Sequence, residues 1–279
     1  MNNPMISFEF FPPKTEEGIE KLRETRKELS RFDPKFFSVT FGAGGSTRDR
    51  TMDAVFEIHK EGFDAAPHIS CISSSKSEIL DLLEVYRNNN IRRVVALRGD
   101  LPSGEVSLGE FAHANELVGF IREKTGDWFH IDVAAYPEFH PESQSPSSDI
   151  RHFKGKVDAG ANEAITQYFY NADAYFRFMD QCHAMDIQIP IIPGVMPIYN
   201  ITQLARFSNV CGAEIPRWLR LRLQDYSDDI TSLRAFGLDV VTSLCENLLA
   251  NGAPGLHFYT LNQSKIITSI AERLGISKR

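Results

Sequence analysis

The stretch Val94–Asp100, VVALRGD, decides how this chain folds. Val94, Val95, Ala96 and Leu97 form a short apolar run, and Arg98, Gly99 and Asp100 place a cation, a flexible residue and an anion directly after it. A β-branched apolar run of this length that stops at a glycine reads as a parallel strand buried on both faces. Such strands deliver function at their carboxyl ends, where loops leave the core. The opposed charges there mark either a site or a solvated turn, and the rest of the chain decides between them.

Working outward, the same unit recurs on both sides. Met5–Phe10, Phe36–Thr40, Ala65–Ile72, His130–Tyr136, Ala164–Phe169, Ile189–Pro193 and Leu256–Thr260 are further strand-like runs. Between them lie segments with apolar residues at helical spacing, such as Ile79, Leu82, Leu83 and Tyr86 within Ser77–Asn88. Pro137–Asp149 reads as a polar loop before a helix over Asp149–Ala159. Glu9, Thr40, His68, Arg98, Tyr136 and Gln167 end successive strands at roughly 30-residue intervals, the length of one βα unit. Helical segments near 202–209, 216–224 and 228–250 lengthen the last interval. The expected fold is an α/β, (β/α)8 TIM barrel with extra helix between strands 7 and 8. No Ser/Gly linker or charge block divides the chain, so residues 1–279 are expected to form a single domain.

Composition narrows the function. The 279 residues are 42% hydrophobic and 24% charged, with a formal net charge of -7. That balance points away from nucleic acid and from anionic membranes, both of which select basic patches. Cys71, Cys182, Cys211 and Cys245 are widely spaced with no C-x-x-C pair, which suits buried thiols in a reducing compartment better than a disulfide framework or a zinc site; no metal is expected. The amino terminus MNNPMISFEFF carries neither a basic leader nor a long apolar run, so the cytoplasm is the expected location.

Strand side chains alternate between faces. With Phe8 and Phe10 under the helices, Glu9 points into the barrel; by the same alternation Ser38 and Thr40 part from Phe37 and Val39, and His68 from Ile69. Gln167 shares a face with Ile165, and Arg98 is expected to share one with Val94 and Ala96. Taken singly each residue has a plainer reading: His68 as a satisfied core histidine, Lys156 as a helix-face residue, Gly42-Ala43-Gly44-Gly45 as a turn that matches neither a dinucleotide fingerprint nor a P-loop. One polar residue per strand, all at the same end, is what singles them out.

Assembled in order, these blocks resemble the methylenetetrahydrofolate reductase family, in its short, bacterial-type form of a catalytic barrel alone. The resemblance runs through SFEFFPPKT (Ser7–Thr15), SVTFGAGGSTRDRT (Ser38–Thr51), AAPHISCI (Ala65–Ile72), VVALRGDLP (Val94–Pro102), VAAYPEFHPE (Val133–Glu142), KVDAGANEAITQYFY (Lys156–Tyr170), IIPGVMPI (Ile191–Ile198) and LHFYTLN (Leu256–Asn262). It implies FAD as cofactor, NADH or NADPH as hydride donor, a folate substrate and a homo-oligomer. It implies Glu9 as the acid/base group, with Asp100 facing the folate. Thr40, Phe41, Ala43, His68, Arg98, Gly99, Asp100, Tyr136, His140, Asp149, His152 and Lys156 fall where the family holds its flavin. Gln167, Gln203 and Phe207 fall where folate and nicotinamide take turns, and Gln263 stands where the family commonly has an Arg for the folate tail.

The residue types agree with that chemistry. A closed five-membered ring must open to an iminium before it accepts hydride, and opening needs a proton donor; a desolvated Glu with an elevated pKa would serve. A carboxylate at Asp100 suits the cationic iminium, and Arg98 and Lys156 suit a pyrophosphate or an electron-rich flavin. A competing reading keeps the barrel without flavin and makes Lys156 the Schiff-base residue of a lyase or aldolase.

Overall fold

The computed structural model describes residues 4–41, 45–99 and 109–276. Strands and helices alternate as β1 (Met5–Phe10), α1 (Glu16–Leu29), β2 (Phe37–Val39), α2 (Gly45–Lys60), β3 (Ala65–Ser70), α3 (Lys76–Asn88), β4 (Arg93–Leu97), α4 (Ala114–Thr125), β5 (His130–Ala135), α5 (Pro146–Asp158), β6 (Glu163–Thr166) and α6 (Ala172–Ala184). After these come β7 (Ile191–Ile192), β8 (Gly194–Val195), α7 (Ile201–Cys211), α8 (Arg217–Asp225), α9 (Ile230–Ala250), β9 (Gly255–Tyr259) and α10 (Lys265–Arg273). All the strand pairs are parallel, in the order β7-β6-β5-β4-β3-β2-β1-β9-β8. β7 and β8 are the two halves of the expected seventh strand, separated only by Pro193. One half pairs with β6 and the other with β9, so the chain itself closes the ring. This is the expected TIM-type α/β barrel, with α7, α8 and α9 as the extra helices.

The seventh strand is broken because proline lacks the N–H that a central strand needs. The break is stitched from both sides. Gly194 N–H donates to Thr166 Oγ1 at 2.9 Å, and Tyr259 Oη donates to the Thr166 carbonyl at 2.7 Å. A Cβ on Gly194 would lie 2.1 Å from that carbonyl oxygen, so only glycine fits there.

Helix starts follow local capping chemistry. Thr15 accepts from the Gly18 N–H, and Ser75 and Glu78 form a reciprocal capping box before α3. α5 begins earlier than the sequence reading placed it: Ser145 and Ser148 cap each other and Pro146 fills the first turn. α4 begins at Ala114, after His113 in extended conformation.

The core has two layers. Phe8, Phe10, Phe37, Val39, Val94 and Ala96 belong to the apolar shell between sheet and helices. Inside the barrel a small cluster of Phe36, Ala66, Val95 and Ile165, with Leu97 against it, forms a waist. The other interior positions are largely polar, and that is what makes the site. No described helix is long and apolar enough to cross a membrane.

Candidate active site

The carboxyl ends of the strands surround a cavity of about 660 Å³. Glu9, Thr40, Phe41, His68, Gly99, Tyr136 and Gln167, all singled out in the sequence, lie on its wall. Apolar contact comes from Val95, Leu97 and Ile165 below them. β4 departs from expectation. Val95 and Leu97 face the interior while Val94 and Ala96 face the helices, so Arg98 follows the outward parity. Its guanidinium pairs with Glu142 at 2.5 Å. Gly99 takes the place on the wall instead: its φ is +85°, and a Cβ there would come within 1.9 Å of Ser70 Oγ. Only a residue without a side chain lets the backbone pass so close to β3.

Glu9 is the centre of the site. Its Oε2 lies 3.3 Å from His68 Nε2 and 3.7 Å from His257 Nε2. His257 is wholly buried, and its Nδ1 is 2.7 Å from Ser7 Oγ, a contact that fixes the ring. Neither imidazole Nε2 has a well-formed hydrogen bond, so both are buried polar atoms with capacity to spare. Burial pushes the Glu9 carboxyl up, but the two imidazoles outweigh it and hold the group at about 2. The expected elevated pKa is thereby corrected: desolvation is present, yet the facing histidines reverse its effect while they carry charge.

Three of the remaining candidates, His140, Asp149 and Lys156, lie beside this wall rather than on it. The Tyr136 and His140 rings meet edge to face, with centroids 4.7 Å apart. Burial and the nearby Arg98 charge hold His140 below its usual pKa. Asp149 is buried on α5 and accepts from Ser143 Oγ at 2.6 Å. Lys156 Nζ donates to the Ala134 carbonyl at 2.6 Å, and Ala134 itself lines the cavity. Burial draws the Lys156 amine down to about 8, against the pull of Asp149. His152 sits further out, exposed on α5 and stacked on His113 at 6.2 Å.

Gln203 and Phe207 belong to α7, and Gln263 follows β9; none of the three is on the cavity wall. Asn200 caps α7 by accepting from the Gln203 N–H at 2.7 Å. Gln167 Oε1 accepts from the Tyr168 N–H at 3.0 Å, which leaves Nε2 as the end available to a ligand. Ala43 and Asp100 lie outside the described residues.

A model of the methylenetetrahydrofolate reductase family matches residues 1–275. The chain belongs to the methylenetetrahydrofolate reductase family. A 5,10-methylenetetrahydrofolate reductase of Buchnera aphidicola subsp. Schizaphis graminum is 43% identical over 97% of this chain and 91% of its own. A relative from Arabidopsis thaliana, methylenetetrahydrofolate reductase (NADH) 1, is 39% identical over 97% of this chain, which spans 48% of that protein. Among solved structures, a Clostridium thermocellum protein described as binding two copies of 5-methyl-5,6,7,8-tetrahydrofolic acid matches with a TM-score of 0.66 at 19% identity. It covers 99% of this chain and 94% of its own, and at that identity it shows the shared fold.

The sequence reading of this family member missed His257 and Tyr259. Both lie in LHFYT, which reads as an eighth strand with no polar end. The signal was there: two residues apart, His257 and Tyr259 share the inward face, just as Ser7 and Glu9 do on β1. The register confirms the match, pairing Ser7 with His257 and Glu9 with Tyr259.

Proposed function

We propose that this chain catalyses the FAD-dependent reduction of 5,10-methylenetetrahydrofolate to 5-methyltetrahydrofolate, with NADH or NADPH as hydride donor and the two substrates taking turns in one cavity. The order is then ping-pong, and the product supplies methyl groups for methionine synthesis. Family membership and the names of the relatives support the reaction. The single observation that carries it in this molecule is the Glu9 carboxylate on the cavity wall, backed by His68 and His257.

The residues present suit FAD. The cavity combines apolar walls at Val95, Leu97 and Ile165 with a few convergent polar groups, the usual make-up of a cofactor site. Gly99 lets the backbone of the cavity wall pass close against β3. Thr40, Phe41, His68, Gly99 and Tyr136 would hold it on the wall, with Arg98, His140, Asp149, His152 and Lys156 on the flank and Ala43 and Asp100 as the resemblance implies. When bound, FAD supplies the hydride relay between nicotinamide and folate.

Glu9 moves the proton. Ring opening protonates a bridge nitrogen of the folate, breaks its bond to the methylene carbon and leaves an iminium. A carboxyl held at about 2 is a poor proton reservoir alone at neutral pH. His68 and His257 flank it at 3.3 and 3.7 Å, so Glu9 delivers the proton as one member of a cluster of three titratable groups. Asp100 stabilises the iminium, and Gln167, Gln203, Phe207 and Gln263 contact the folate. We place the enzyme in the cytoplasm as a homo-oligomer, which sedimentation would test.

The decisive experiment is anaerobic. The purified protein should be yellow, bleach on addition of NADH, and recover its colour with 5,10-methylenetetrahydrofolate. A colourless protein that FAD cannot reconstitute overturns the reading. The low pKa of Lys156 is the observation that favours a Schiff-base barrel, but its Nζ is engaged by the Ala134 carbonyl. Borohydride trapping of a substrate carbonyl on Lys156 would support that alternative.

A further inference from the structure

The residue after Gln167 links two places that otherwise look separate. Tyr168 is 3% exposed, and its hydroxyl lies 3.0 Å from Ser208 Oγ in the middle of α7, which is 6% exposed. The fully buried residues of α7 are Leu204 and Ser208, one turn apart, and Ile201, Phe207 and Cys211 pack partly buried against the same core. Apolar packing leaves the rotation and register of a helix loosely set, and the directional contact in this seam is the hydrogen bond of Ser208 to Tyr168. Ser208 directly follows Phe207, and Gln203 is pinned at the start of the same helix by Asn200.

Tyr168 also acts through its backbone, because its N–H holds Gln167 Oε1 at 3.0 Å. Its ring rests against Tyr170 at 5.9 Å and Tyr259 at 6.3 Å, so it cannot swing freely. Tyr170 Oη is in turn committed to the Met196 carbonyl at 3.1 Å, on the chain that leads into α7.

We propose that Tyr168 is a positioning residue: its N–H sets Gln167 and its hydroxyl latches α7 through Ser208, holding Gln167, Gln203 and Phe207 in one register for the ligand. The identity of the ligand rests on the folate-reductase reading; the latch does not.

Tyr168→Phe and Ser208→Ala each remove one partner while keeping the packing. In the ligand-free protein, amide hydrogen exchange over 201–211 should accelerate about tenfold in either variant, the size expected from one hydrogen bond, while 163–166 in β6 stays unchanged. The double variant should match Tyr168→Phe alone rather than multiply the two effects, because Tyr168→Phe already removes the contact that Ser208→Ala removes. In turnover, KM for the folate and for the nicotinamide should each rise about 5- to 10-fold with kcat and FAD content kept. Unchanged exchange over 201–211, multiplied effects in the double variant, or accelerated exchange with unmoved KM values would each overturn the proposal. Accelerated exchange in a protein whose parent lacks folate turnover would leave the latch standing and remove the proposed function instead.

Discussion

Two groups of buried charge lie inside this barrel, one toward each end, and they differ in what neutralises them. Toward the amino ends of the strands, Arg93 Nη1 meets Asp132 at 2.8 and 2.9 Å and Glu163 at 3.3 Å, and Lys35 Nζ meets Glu163 at 2.6 Å. Toward the carboxyl ends, the ion-pair partners of Glu9 among the described residues are imidazoles, at 3.3 and 3.7 Å. Phe36 separates them, its ring 4.4 Å from the Arg93 guanidinium and 5.8 Å from the His257 ring. Arginine keeps its charge at any pH a protein meets, whereas histidine exchanges a proton near neutrality. The lower group is therefore a fixed plug, and the upper one is built from residue types that can exchange a proton. His130, Asp132 and Glu163 come close enough to ligate a metal, but Arg93 and Lys35 already supply the positive charge there.

The largest effects should separate the two ends cleanly. Glu9→Gln should cut folate reduction about 10²- to 10⁴-fold, the usual worth of a positioned acid, while NADH still bleaches the flavin. Equal loss in both half-reactions would deny Glu9 the proton-transfer role and erase the contrast. Next in size, Arg93→Met removes the guanidinium shared by two buried carboxylates, leaving Asp132 with His130 and Glu163 with the partly exposed Lys35, so it should cost about 3–5 kcal/mol in urea unfolding. The fraction that folds should keep the parent kcat. A variant that is stable but inactive would move the lower group into the chemistry.

How much of this was legible in the sequence depended on how each residue announces itself. The βα rhythm and the inward Glu9, His68 and Gln167 follow from alternation, because Glu9 sits between Phe8 and Phe10, His68 precedes Ile69 and Gln167 precedes Tyr168, all members of the outer apolar shell. Arg98 was misplaced because VVALR is apolar on both faces, so its parity could not be fixed without knowing where the strand meets its neighbours. The plug of Arg93, Asp132 and Glu163 passed unnoticed since charges at strand starts look like solvated loop ends until the barrel closes over them. The break at Pro193 was visible as a proline but not as a join, because the sequence does not say that its two flanks pair with different neighbours. Gln203, Phe207 and Gln263 came from family resemblance, and none of them lines the cavity.

Acid should sharpen the same comparison by a smaller amount. A carboxylate held at about 2 in the native state binds its proton more readily when unfolded, where 4.5 is the reference. Its contribution is therefore whole above pH 4.5 and is lost as pH falls from there through about 2. The stability gap between the parent and Glu9→Gln should be of order 1–3 kcal/mol at pH 5 and close as pH approaches 2, read from urea midpoints. A gap that stays open at pH 2 would mean that Glu9 stabilises by packing and not by charge.

The smallest effect belongs to Lys35. Its side chain is 31% exposed against 2% for its partner Glu163, so water already reaches one side of the pair. Lys35→Met leaves Glu163 with Arg93, and it should cost no more than about 1 kcal/mol, as partly exposed ion pairs do. That ranks it well below Arg93→Met, which removes the guanidinium both carboxylates share. Equal costs for the two variants would show that the plug works as a single balanced unit whose every charge is needed, and Arg93 would lose its place as the residue around which the closed end of the barrel is built.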